Sequence, residues 1–245
     1  MGVIISLHAG VHAICKQSMK HGILIFLLLN SIFMGTINKG ILGGFSGKVG
    51  NVIGGSWKGI DYMRSKSSRR NFVPTEKQLI QQLKFALTMR FLQPMAGLLN
   101  ISFRDFAIMM TGINNAFAYN IKNAVTGVYP SFVIDYSLAL VSRGDLPNVL
   151  GPAVTSGAGS LLTFSWTDNS GVGSAKPTDQ AILVAYCPTQ RQAIYTTAGG
   201  LRSALTGELN LLPFSGLAVE TYIGFISDNG RSVATSIFTG EVTVS

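Results

Sequence analysis

Histidine disappears from this chain after residue 33: His8, His12 and His21 are its three copies, and none follows in a sequence of 245 residues. That absence excludes Ser-His and Cys-His nucleophile activation, histidine general bases and nearly every zinc arrangement from residues 34–245. Cysteine is as scarce. Cys15 and Cys187 support neither a disulfide framework nor a CxxC metal site, and Cys187 sits in an apolar stretch that reads as core. Charged residues make up 12% of the chain, and the eleven acids are scattered. Asp168 with Asp179, or Glu208 with Glu220, could meet in space, but no spacing marks a paired-carboxylate site. No SxxK motif occurs. The expectation is therefore no enzyme, no cofactor and no metal site.

Glycine is what the chain has in quantity. Residues 40–59 read GILGGFSGKVGNVIGGSWKG, with eight glycines in twenty positions. A phosphate-binding loop needs a glycine, four residues, then Gly-Lys and Ser or Thr. Here Gly47-Lys48 is followed by Val49, and the position five before Gly47 is Leu42. No acidic residue follows about twenty positions on in a βαβ context, so a dinucleotide fingerprint fails as well. The glycines read as tight turns and close backbone approach. Gly54-Gly55, between β-compatible runs, predicts a hairpin turn that carries Trp57 and Tyr62 as its aromatic content.

The net charge of +8 is unevenly placed. Residues 34–73 hold seven Lys/Arg against Asp61, a net of +6, while residues 151–245 hold four basic and six acidic residues, a net of −2. The candidate polyanion-binding residues are Lys58, Arg64, Lys66, Arg69 and Arg70, beside Trp57, Tyr62 and Phe72 for base stacking. Against that stands a solvated linker whose aromatics belong to the hairpin, which is the favoured reading.

Residues 1–33 stand apart. Gly22–Phe33 is a twelve-residue apolar run broken by Asn30 and Ser31, too short for a comfortable membrane span, so no stable span is expected. It suits a signal-peptide hydrophobic region, but no small-residue pair at −3 and −1 follows it. Three readings stay open: translation beginning at Met34, which is favoured, a signal or anchor segment, or a folded extension. The first would place the protein in the cytoplasm or in a phage-type assembly, the second outside the cell or on a membrane.

Pro74, Thr75 as N-cap and Gln78 three residues on predict a helix with Leu79, Leu83, Ala86, Leu87, Phe91 and Leu92 facing a core, ended or kinked at Pro94. A second helix is predicted over 114–126, stopped by Gly127. Alternation over 132–141 predicts a strand. GDLPNVLGPAVTSGAGS, residues 144–160, reads as a domain linker. Seven short strands are expected beyond it, at 161–168, 180–187, 191–197, 208–213, 217–227, 232–238 and 241–245, with a hairpin at Asp228-Asn229-Gly230.

The strings MGTINKGILGGFSGKVGNVIGGSWKGIDYMRS (34–65), TEKQLIQQLKFALTMRFLQPM (75–95) and YPSFVIDYSLALVSRGDLP (129–147) resemble a bacterial domain-of-unknown-function family, number 6266, of Bacteroidetes type, over roughly residues 34–245. Members begin near MGT..KG, which supports Met34 as the start, and no activity or site residue carries over from them. The C-terminal half also resembles fibronectin type III and immunoglobulin-like sandwiches, through Trp166 in LLTFSW and Leu209, Leu211 and Pro213 ahead of Glu220-Thr221-Tyr222. The expected fold is thus an α+β N-terminal part (glycine-rich hairpin plus helices, 34–143), a linker (144–160) and an all-β sandwich (161–245).

The expected function is a non-catalytic structural, assembly or interaction protein, surface- or phage-related, whose partner is another copy or another protein. The alternative is a nucleic-acid- or polyanion-binding module using residues 58–70. A carbohydrate-binding sandwich would need exposed aromatics, whereas Trp166, Tyr186, Tyr195 and Tyr222 mostly fit inward-facing positions.

Overall fold

The computed structural model describes residues 36–37, 43–57, 59–67, 73–104 and 110–245; residues 1–33 and Lys58, Arg69 and Arg70 lie outside them. The chain divides into two compact units, residues 1–72 and 73–245.

In the first unit, strands β1 (Thr36–Ile37), β2 (Phe45–Val49), β3 (Val52–Trp57) and β4 (Ile60–Ser65) form one antiparallel sheet in sequence order. Gly54 and Gly55 do not make the predicted turn. They lie inside β3, where Gly54 pairs with Gly47 on one side and Met63 on the other. The turns fall instead at Gly50 and Gly59, whose φ of 57° and 83° are in the left-handed region that glycine tolerates. Gly54 is required for space: a Cβ there would run into the Phe45 carbonyl oxygen and ring.

The second unit begins with helix α1 (Glu76–Leu92), capped as the sequence implies, with the Thr75 N–H donating to Gln78 Oε1 at 3.0 Å. Pro94 sits in a 3-10 turn (Gln93–Met95), after which α2 (Ala96–Ser102) continues the chain as a helix. Phe91 and Leu92 are buried as expected, whereas Leu83 is 41% exposed. Helix α3 runs Gly112–Asn123, capped by Thr111, and ends earlier than predicted. Gly127 does not stop it. Gly127 belongs to β5 (Val125–Val128), which forms a hairpin with β6 (Ser131–Ile134).

The predicted strand over 132–141 stops at Ile134, because Asp135 Oδ1 accepts the Ser137 N–H at 3.0 Å and turns the chain. Beyond it the backbone bonds to side chains instead of a ladder. Leu140 N–H donates to Asn120 Oδ1 and Val141 N–H to Ser236 Oγ, both at 3.0 Å.

Seven strands then form two sheets, β10-β9-β12-β13 and β11-β8-β7. Their spans are β7 Leu150–Gly157, β8 Leu161–Thr167, β9 Gln180–Cys187, β10 Gln192–Thr196, β11 Thr206–Asn210, β12 Ala218–Ile226 and β13 Ile237–Thr243. The segment expected as a linker supplies β7, and the predicted strands at 232–238 and 241–245 yield one strand, β13. The Asp228–Gly230 turn forms where predicted, with Gly230 N–H bonded to Ser227 O at 2.8 Å.

Alternation along β9 and β12 explains the rest of the unit. Ala181, Leu183, Ala185, Val219, Ile223 and Phe225 face the three-stranded sheet and pack with Leu162, Phe164, Trp166 and Leu209. Ile182, Val184, Tyr186, Tyr222 and Ile226 point the other way, onto Phe91, Leu92, Met95, Leu98 and Leu99. The four-stranded sheet is therefore the middle of three layers. Helices and strands share a core, so the unit boundary falls at residue 72, not at 144–160.

Candidate interaction surface on the small sheet

A sheet normally buries at least one face, because ordering its backbone must be offset by removing apolar surface from water. The sheet of the first unit does so barely: among the described residues 43–67, Gly54 alone is buried. Trp57 (55%), Ile60 (54%), Tyr62 (48%) and Met63 (72%) are exposed, as are Val49 and Val52.

Register assigns these side chains to faces. The pairs Lys48↔Ile53↔Arg64, Gly55↔Tyr62 and Trp57↔Ile60 put Lys48, Arg64, Trp57, Ile60 and Tyr62 on one face. Lys66, two residues past Arg64, is exposed just beyond the end of that face. Tyr62 lies over Gly55, where an added Cβ would be 3.0 Å from the phenol ring and hydroxyl. The pairs Val49↔Val52, Gly47↔Gly54 and Gly54↔Met63 put Val49, Val52 and Met63 on the opposite face, while Ile53 joins Ile60 on the first. Strand β4 is an edge of the sheet, and all six of its residues are exposed. It contains no proline and no lysine, two devices by which edges are commonly protected from pairing.

Of the five candidate polyanion-binding residues, the structure places Arg64 and Lys66, both exposed. Lys58, Arg69 and Arg70 lie outside the described residues. Sequence reasoning passed over Lys48, which the register brings into line with Arg64; its period-two spacing from Ser46 and the β2–β3 hairpin are the signals that would have found it.

The other chemistry-bearing residues do not converge. Cys187 is fully buried in the sandwich core. Asp179 is paired with Arg202, while Asp168 accepts the Ser170 N–H at 2.9 Å. Glu208 is exposed on β11, in the other sheet from Glu220. Trp166, Tyr186 and Tyr222 are buried, and Tyr195 is 36% exposed. The Tyr222 hydroxyl donates to the Tyr136 carbonyl at 2.9 Å, and burial raises the pKa of both phenols. Among the described residues no group of three His, Cys, Asp or Glu is arranged to hold a metal ion, and no helix is long and apolar enough to cross a membrane.

Glu220 is 8% exposed on the helix-facing side of β12 and stands directly across from Glu241 on β13. Burial, and then the neighbouring Glu241 carboxylate, push its pKa up. A raised folded-state pKa means that ionisation opposes folding. The penalty is absent below the ordinary carboxylate range and grows as pH rises through that range toward the folded value. Glu220→Gln is therefore expected to stabilise the protein at pH 7, by about 0.2–1 kcal/mol as for other like-charge cross-strand pairs. Urea midpoints at pH 7 and pH 4 check this: the advantage should shrink at the lower pH.

The chain is thus a β-rich protein with a small, core-poor sheet and a three-layer unit. Residues 44–240, which include strands of both units, match a family described as "Family of unknown function (DUF6266)", and the chain belongs to that family. No curated protein matches it.

Proposed function

We propose that this protein is a non-catalytic assembly module, in which the glycine-rich sheet associates with a second copy of the chain and the three-layer unit is carried as a spacing or display element. The observation that carries this reading is the burial of Gly54 alone among the described residues 43–67. Such a sheet gains its missing apolar burial by association. A second copy is the fitting partner, because an exposed, six-residue, proline-free edge strand can pair with its own copy about a two-fold axis.

The strand orders β10-β9-β12-β13 and β11-β8-β7 support reading the two sheets as a fibronectin type III- or immunoglobulin-like sandwich, a fold common in spacing modules. Trp166 in its core, edge-on to Phe225 at 5.4 Å, adds to that.

The double substitution Trp57→Lys and Met63→Lys charges both faces of the sheet. It is expected to lower the solution mass to that of a monomer while leaving the thermal unfolding of the three-layer unit within about 0.5 kcal/mol, since both side chains are exposed. An unchanged oligomeric mass would sink the assembly reading.

A second reading has one observation in its favour: Lys48, Arg64, Trp57 and Tyr62 share a face. That combination of cations and stacking surfaces suits a single-stranded nucleic acid. It predicts oligonucleotide binding that weakens steeply between 50 and about 200 mM salt and is lost on reversing Arg64 and Lys66.

A further inference from the structure

Strand β13 is an edge of its sheet, and it is held in two halves. Ahead of a bulge, Ile237 and Phe238 pair with Ile223 and Tyr222; beyond it, Gly240, Glu241, Val242 and Thr243 pair with Thr221, Glu220, Val219 and Ala218. Thr239 is the extra residue, and Gly240 beside it takes a φ of 109°. Past Thr243 the chain is clasped again, with Val244 N–H donating to Leu217 O at 3.0 Å and Gly216 N–H to Val244 O at 2.8 Å. Residues 241–243 are thus a short span between a bulge and a clasp.

That span contains a conflict of charge. Directly opposite residues have Cβ atoms about 4.5–5.5 Å apart, so the Glu220 and Glu241 carboxyl groups are within reach of each other. Glu220 is 8% exposed, and among the described residues neither carboxyl has a hydrogen-bond or ion-pair partner. The other groups around Glu220 supply no cation. Tyr186 stands opposite it on β9, Tyr136 follows β6, Tyr222 is two residues on, and Phe91 of α1, packed on Tyr136 and Tyr186, is apolar. Arg191 acts on Tyr186 and Asp135 on Tyr222, not on Glu220. A nearly buried carboxylate without a partner is costly, whereas a protonated one can donate to the carboxylate beside it.

We propose that Glu220 and Glu241 form a proton-operated latch on the β13 edge of the four-stranded sheet. With a proton on Glu220, its O–H donates to the Glu241 carboxylate and residues 241–243 stay on β12. When solvent takes that proton the two carboxylates repel, and the span opens between the bulge at Gly240 and the clasp at Val244. Opening frees the backbone groups of residues 218–220 from their β13 partners, so the latch exposes a sheet edge that acid covers. Burial and the Glu241 charge both raise the pKa of Glu220. The latch is therefore closed below the ordinary carboxylate range and opens as pH rises through that range and above it. It lies within the three-layer unit and does not depend on how the small sheet associates.

Hydrogen exchange of the full-length protein, followed by NMR at pH 4 and pH 7 and corrected for intrinsic rates, tests this. Between the two pH values, protection of the 241–243 amides that bond to β12 is expected to fall up to about fivefold more than that of the 237–238 amides ahead of the bulge. Glu220→Gln and Glu241→Gln, which keep the side-chain shape and remove one charge, should each abolish that difference. The Glu220 carboxyl carbon should also titrate at higher pH than that of Glu241. Protection that does not change with pH, an equal loss on both sides of the bulge, or a difference that persists in Glu220→Gln overturns the proposal.

Discussion

Arg202→Ala is expected to destabilise the three-layer unit by about 3–5 kcal/mol, the range for breaking one half of a buried ion pair. Arg202 and Asp179 both have 0% side-chain exposure, with Nε to Oδ2 at 3.2 Å. The guanidinium also donates to Asn169 Oδ1 at 2.6 Å and to the Pro147 carbonyl at 2.9 Å, and it stacks over Phe225 at 4.3 Å. One side chain thereby ties the 3-10 turn Arg202–Ala204, the loop after β8 and the segment before β7 to the end of the sandwich core. Removing it strands the Asp179 carboxylate, whose Oδ1 already lacks a partner among the described residues. The double variant Asp179→Leu, Arg202→Met, which removes both charges and keeps apolar volume, should lose markedly less than Arg202→Ala. Urea unfolding of the three proteins checks this. Equal losses in the single and double variants would mean that shape, not charge, is what Arg202 contributes.

Phe91→Ala should cost about 3–5 kcal/mol, as for other large aromatic truncations in a core. Phe91 is fully buried, edge-on to Tyr186 at 5.0 Å, and also touches Tyr136 and Tyr222 at 5.7 and 6.4 Å between ring centres. The informative result is the form of the transition. Because Phe91 belongs to α1 while Tyr186 and Tyr222 belong to β9 and β12, helices and sheets are expected to lose structure together, in one step at a lower denaturant midpoint. Separate helical and β transitions would restore the boundary at 144–160 that the structure removes.

The linker reading failed for a physical reason. LGPAVTSG contains a proline and two glycines, which usually exclude a strand interior. Here the strand is an edge of its sheet, and Pro152 falls where the register shifts between Leu150 and Ala153, so no ladder bond is required of it. The apolar run AILVAYC was expected only as a sandwich strand, and the structure covers it on both faces, which a run without alternation permits. The capping at Thr75 and Gln78 was legible because it is local. The end of β6 was not, because Asp135 turns the chain through its own side chain, as a polar residue in an alternating pattern also does on a solvent face.

The small sheet was half legible. The glycines announced close-packed backbone, but which of them turn depends on register, and Gly54-Gly55 looks the same in a strand as in a hairpin loop. Asn115, buried on α3, gave no signal, because an asparagine on a helix reads as solvent-facing until a neighbouring element buries it. Arg202 in LRSALTG gave no signal either, because its burial depends on elements distant in sequence.

Size-exclusion chromatography with light scattering, run on the full-length protein at low and high salt, addresses the assembly reading most directly. Apolar association through the glycine-rich sheet predicts a defined multimer whose mass does not fall in high salt. A monomer at both salts would contradict it.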